Sequence, residues 1–137
     1  MRQTHILDSY AVLALLTKEP GSEDVRQLMR QAQEGETRLL MTWVNVGEVA
    51  YIIERRWGRD RAYEVLGSLE ATDLEIVPVG REVALRAAAI KAEHPLAFAD
   101  AMAAALAINE GAVLVTGDPE FERLEGTLSI CWLPRDG

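Results

Sequence analysis

Val113-Leu114-Val115-Thr116-Gly117-Asp118-Pro119-Glu120-Phe121 joins a continuous apolar run to a helix-starting signature. With Ala112 before it, the run reads as a short buried strand over 112–116. Gly117 lets the chain turn, Asp118 can cap a short helix, and Pro119 suits its first position. Strand, turn and capped helix in this order belong to an α/β domain. One question stays open here: Asp118 either only starts the helix or also holds something charged.

The same grammar repeats outward from this stretch. Thr4-His5-Ile6-Leu7 is a strand, after which Asp8-Ser9 can cap a helix over Tyr10–Leu16. Pro20-Gly21-Ser22 breaks that helix, and Ser22 starts a polar one running to about Gly35. Arg38–Thr42 is a second strand, followed by helices over Trp43–Trp57 and Asp60–Glu70. Glu75–Val79 contains Pro78, which predicts a strand near a sheet edge. Helices at about 80–92 and 96–110 flank His94-Pro95, and a last strand covers 128–132.

Strands separated by helices predict a three-layer α/β/α fold around a mostly parallel sheet of four or five strands. No linker, repeat or low-complexity tract interrupts the 137 residues, so 1–137 is read as a single domain. The amino terminus has only Arg2 as a basic residue before Asp8, too little for a signal peptide. No apolar run approaches the length of a membrane span, and the sole cysteine, Cys131, excludes an intramolecular disulfide. The expected compartment is the cytoplasm. Cys131 itself, in Leu128–Leu133, reads as a residue of a buried strand.

Fourteen basic residues against 22 acidic ones give a net charge of −8, which argues against wide, non-specific binding along a nucleic-acid backbone. A nuclease is still compatible, because acids gathered around a cation carry charge that the cation offsets.

Four acids fall on one rim of the predicted sheet, beyond the carboxyl ends of its strands, where parallel sheets bind ligands. Asp8 follows the first strand, and Asp118 follows the fourth by two residues. Glu48 lies in the second turn of the helix leaving the second strand, and Asp100 near the start of the helix returning to the fourth. Val44, Tyr51 and Ile52 neighbour Glu48 at helical spacing, which reads as an inward stripe interrupted by an acid. A lone buried carboxylate is costly unless paired or metal-bound. The plainer alternatives are a partner such as Arg38 or an exposed helix rim. Asp100 sits in a helix apolar on nearly every face, where it either complements the positive helix end or serves a site. Asp8 has the reading of a simple cap.

Converging like charges would repel, and a divalent cation removes that difficulty. All-oxygen ligation suits magnesium or manganese. Two histidines and one cysteine support zinc poorly.

Ile6-Leu7-Asp8-Ser9, Asn45-Val46-Gly47-Glu48-Val49, Leu96-Ala97-Phe98-Ala99-Asp100-Ala101 and Val113–Phe121, in this order, give the chain a family likeness. It resembles the PIN-domain ribonucleases and, more narrowly, the VapC-type toxins of bacterial and archaeal toxin–antitoxin pairs. The resemblance implies a PIN-like fold and a catalytic metal site of Asp8, Glu48, Asp100 and Asp118. It also implies supporting hydroxyls at Ser9 and Thr116. Gly47 departs from the family, where alanine or a bulkier apolar residue commonly precedes the second acid.

The activity implied is magnesium- or manganese-dependent hydrolysis of RNA, leaving a 5′-phosphate and a 3′-hydroxyl. Asp8 and Asp100 would carry most of the ligation. The implied partners are an RNA substrate and a cognate antitoxin. A homodimer follows partly from the resemblance and partly from the general prevalence of dimers. Other family members process rRNA or take part in RNA decay, so a solitary processing nuclease is the alternative role.

Two other classes compete. Phosphohydrolases with an aspartate nucleophile want a second aspartate two residues on, where this chain has Tyr10, and a lysine partner late in the chain that is not convincing here. A non-catalytic interaction module would keep the acids only for folding. Arg55, Arg56, Arg59 and Arg61 with Trp57 could grip an RNA backbone. Alternatively they form a solvated helix end with Trp57 packed inward. Tyr10, Leu13 and Leu16, with Val25, Leu28 and Met29, offer apolar surface for a partner's amphipathic helix. His94 reads as a helix-start residue ahead of Pro95.

Overall fold

The structure is a computed structural model that describes residues 2–135. Its elements run β1 (Gln3–Leu7), α1 (Ser9–Thr17), α2 (Ser22–Gln33), β2 (Thr37–Thr42), α3 (Trp43–Trp57), α4 (Arg59–Glu70) and β3 (Glu75–Val77). Then follow α5 (Arg81–Glu93), α6 (Phe98–Glu110), β4 (Val113–Thr116), a 3-10 helix (Pro119–Leu124) and β5 (Ile130–Trp132).

All four strand pairings are parallel, in the order β3-β2-β1-β4-β5. Successive strand residues point to opposite faces, and both faces are covered. Ile6, Leu40 and Leu114 pack with α5, α6, Phe121 and Leu124. Leu7, Leu39, Met41 and Val115 pack on the other side with α1–α4. The result is three layers, α/β/α, with a five-stranded, all-parallel sheet.

The chain leaves β1 toward β2 and β3, then crosses to β4 on β1's other side. The carboxyl ends of β1 and β4 therefore border a topological switch point, where the loops diverge and a cleft opens. Asp8 and Asp118 emerge on its two sides.

Several local expectations change. β3 is an edge strand but stops at Val77, because Pro78 cannot continue a ladder. His94 closes α5 in an extended conformation rather than opening the next helix, which begins at Phe98. Cys131 is exposed, since β5 is an outer strand covered on one side only. Val25 is fully buried beneath α2, so it adds nothing to a partner surface. No helix among the described residues is long and apolar enough to cross a membrane.

Candidate active site

Asp8 is set by the end of β1. Its side chain accepts the Ala11 N–H at 2.8 Å and so caps α1, yet only 1 % of the residue is exposed. Burial pushes its carboxyl up from 3.8 to about 7, against hydrogen bonds from Thr116 and Ala11 that lower it. The charges of Asp100 and Asp118 raise it further. A cap at a surface junction needs none of this burial; Asp8 is a cap and also part of a charged cluster.

Asp100 lies in the first turn of α6, half-buried. Its carboxyl is raised to about 6, first by burial and then by the charges of Asp118, Glu48 and Glu120. Asp118 caps the 3-10 helix by accepting the Glu120 N–H at 2.9 Å. Its own N–H donates to Thr116 Oγ1 at 3.0 Å. The buried Thr116 hydroxyl thus lies between Asp8 and Asp118 and bonds to both residues.

Glu48 reaches the cluster by a different route from the one its neighbours suggest. The buried stripe of α3 is Asn45, Val46, Val49 and Ile53, whereas Val44 and Tyr51 are exposed and Glu48 is half-buried. Arg38 is not its partner. Arg38 forks onto Glu75 with two bonds of 3.0 Å and reaches Glu110 at 3.5 Å, at the start of its strand. None of the groups acting on Asp8 or Asp100 is basic.

Ser9 is buried and exchanges bonds with Asn45: its hydroxyl donates to the Asn45 carbonyl at 3.2 Å and accepts from Asn45 Nδ2 at 3.3 Å. Gly117 owes its identity to packing. A Cβ there would collide with the ring of Tyr10, lying 2.7 Å from Cζ and closer still to Cε1. Gly47 has no such reason, since an added Cβ would meet nothing within 4 Å.

The arginines lie toward the far end of α3 and on α4. At about 1.5 Å per residue, Arg55 is roughly 10 Å along the helix from Glu48. Arg55 stacks on Tyr51 and Arg56 on Trp57, while Arg59 pairs with Glu54 and Arg61 with Glu64. Trp57 is 53 % exposed, not packed inward.

Two residues of this region were not singled out from sequence. Asn45 heads the buried stripe of α3, and its place one helical turn from Val49 was the available signal. Glu120 adds a fifth negative charge beside Asp100, and its place two residues after Asp118 in the first turn of the 3-10 helix brings it there.

The donor set is carboxylate oxygen throughout, which suits a hard divalent cation such as magnesium or manganese. The clustering of acids, unpaired with any basic side chain among the described residues, fits the same group. Among the described residues, no three His, Cys, Asp or Glu side chains stand close enough to hold an ion without moving.

Residues 5–126 match the PIN domain family, a span containing all four acids. No curated protein sequence matches the chain. Among solved structures, the fold is similar to a chain of VapBC2 from Rickettsia felis bound to a DNA fragment from their promoter. The TM-score is 0.77 at 18% identity, covering 96% of this chain and 100% of that one. DNA-bound VapBC from Salmonella typhimurium gives 0.73 at 23% identity, covering 96% and 98%. VapC20 from Mycobacterium tuberculosis, a sarcin–ricin loop cleaving toxin, gives 0.63 at 18% identity, covering 87% and 93%. At these identities the structural likeness speaks for the fold, and the domain match for the family. The chain belongs to the PIN domain family.

Proposed function

We propose that the protein is a metal-dependent endoribonuclease and the toxin of a toxin–antitoxin pair. The observation that carries the nuclease reading is the gathering of Asp8, Glu48, Asp100 and Asp118 at the switch point of a parallel sheet, with no ion pair to any of them among the described residues. Asp8 and Asp100 would hold a magnesium or manganese ion, with Glu48 and Asp118 completing its surroundings. When bound, the ion supplies an activated water and positive charge for phosphate oxygens.

The chain's own residues do the rest. Thr116 fixes the Asp8 carboxylate and the start of the Asp118 turn. The acids repel a phosphate until a cation is present, so nucleic acid approaches only the loaded site. Arg55, Arg56, Arg59 and Arg61 would take the backbone of a longer RNA away from the scissile phosphate. Tyr10 stands where an aspartate-nucleophile enzyme needs its second acid, and its ring is occupied in packing on Gly117.

A groove supports the antitoxin half of the reading. It runs between α1 and the α3–α4 pair, in two parts of about 550 and 530 Å³ that meet at Thr17. Leu13, Leu16, Ile52 and Trp57 give it an apolar floor, and Arg56 and Arg61 stand on its margin. Its upper end reaches Gly117 and Pro119, on either side of Asp118. A helix or strand of an antitoxin lying there would reach the acids it must restrain. In this reading the partner lies between α1 and α3–α4 rather than between α1 and α2. A homodimer is part of the same proposal, checked by light scattering over a range of concentrations.

The test is Asp100→Asn, which keeps shape and removes charge. Cleavage of a mixed pool of structured and single-stranded RNAs in magnesium should fall by at least about 100-fold, the scale on which loss of a group stabilising charge in the transition state is felt. A D100N protein cleaving at the parent's rate would remove Asp100 from the site.

A further inference from the structure

Asn45 is wholly buried, and each of its polar groups is bonded. Its N–H donates to Thr42 Oγ1 at 3.0 Å, and its Oδ1 accepts the Thr42 hydroxyl at 2.6 Å. Its carbonyl accepts the Ser9 hydroxyl at 3.2 Å. Its Nδ2 donates to Ser9 Oγ at 3.3 Å and to the Ala99 carbonyl at 3.2 Å. Thr42 already caps α3 through the backbone N–H of Asn45, so the cap does not require the amide. Neither does packing, because the position continues the apolar stripe of Val49 and Ile53, where a leucine would bury more apolar surface. An amide in such a place is costly unless its bonds do something an apolar residue cannot.

Its partners indicate what that is. Ser9 is adjacent to Asp8, Ala99 is adjacent to Asp100, and Asn45 lies one helical turn before Glu48 on the same helix. Among the described residues, the bonds between Ser9, Asn45 and Ala99 are the only side-chain hydrogen bonds joining α3 to α1 or α6. Asp8, at the N-cap of α1, and Asp100, in the first turn of α6, repel one another. We propose that Asn45 is a positioning residue whose single amide fixes the separation of the segments carrying Asp8, Glu48 and Asp100, and thereby sets the affinity of the site for a divalent cation. The inference rests on the metal-site reading given above. Asn45 touches neither cation nor substrate. It limits how far the three helix ends can spread under mutual repulsion, so that ligation costs only side-chain rotation.

The experiment compares the parent with Asn45→Leu, which keeps the branching at Cγ while removing every bond of the amide and leaving only the Ser9 hydroxyl on the residue-45 carbonyl, and with Ser9→Ala, which cuts the link to α1 alone. Mn²⁺ binding is measured by calorimetry well below the melting temperature, beside melting curves with and without Mn²⁺ and cleavage of the RNA pool across Mn²⁺ concentrations. N45L should bind Mn²⁺ about 10- to 100-fold more weakly, as loss of groups that orient metal ligands does elsewhere. Its cleavage should recover as Mn²⁺ is raised, and S9A should show a smaller shift in the same direction. A folded N45L that melts lower but binds Mn²⁺ with parental affinity has lost only a structural tie, and overturns the proposal. Should N45L melt below the assay temperature, S9A carries the test, and an unchanged Mn²⁺ affinity overturns the proposal equally. A parent that binds no Mn²⁺ overturns the site reading itself and this inference with it, whereas a parent that binds beside an unaffected N45L overturns this inference alone.

Discussion

Asp8 caps α1, is almost wholly buried and, among the described residues, has no basic group acting on it, so its ionisation works against the fold. Its carboxyl titrates at about 7 in the folded chain and near 3.8 when unfolded. Between those values the folded state keeps a proton that the unfolded state releases, so stability without metal falls as pH rises from about 4 to 7. The full effect of Asp8 is about 4 kcal/mol. Asp100 acts in the same direction between about 4 and 6. Urea unfolding at pH 4.5 and 7.5 should show the loss in the parent and much less of it in Asp8→Asn, which can still accept the Ala11 N–H. Equal pH dependence in the two proteins would show that Asp8 ionises freely. The sequence made Asp8 visible by its place after a strand. The depth of its burial was not visible, because α3 and α6 cover it and belong to distant segments.

At the scale of the element, α3 shows where hydrophobic periodicity is informative and where it is not. Its extent, Trp43 to Trp57, follows from Thr42 before it and Gly58 after it. Its face does not, because Val44, Tyr51 and Ile52 on one side compete with Val46, Val49 and Ile53 on the other. Expected and observed stripes differ by about one residue, or roughly 100° of rotation. Contacts with α1, α4 and α6 choose between them. The two glycines near the acids separate in the same way. Gly117→Ala should destabilise the protein by about 1–3 kcal/mol, since the Tyr10 ring must move to admit a methyl group. Gly47→Ala should stabilise it by about 0.5–1 kcal/mol, because a helix interior gains propensity there and the new Cβ meets open space. Chemical denaturation of both variants is the check; a destabilised G47A would mean that something other than the helix determines that glycine.

Over the whole molecule, the strand–helix alternation carried the fold and the rim of acids, because each follows from the order of elements along the chain. The groove did not emerge that way, since it is made by α1 meeting α3 and α4, three segments whose apolar residues look alike in sequence. Its margin gives it a chemistry. The chain carries a net charge of −8, yet Arg56, Arg61 and Arg135 line the groove against a single acid, Glu19, which favours a partner segment with an apolar face and acidic edges. Arg56 and Arg61 are exposed, so Arg56→Glu with Arg61→Glu should leave the melting temperature nearly unchanged. Binding of the proposed antitoxin should weaken by about tenfold or more, with slower association and a shallower salt dependence, the usual result of reversing charge at an interface margin. RNA cleavage without antitoxin separates this from damage at the acids: the double variant should still cleave at saturating RNA, with a raised KM on long RNA because two backbone contacts are lost, and should resist inhibition by the antitoxin. If the antitoxin instead inhibits parent and double variant alike, its seat is elsewhere on the domain, and the groove loses its part in the proposed function.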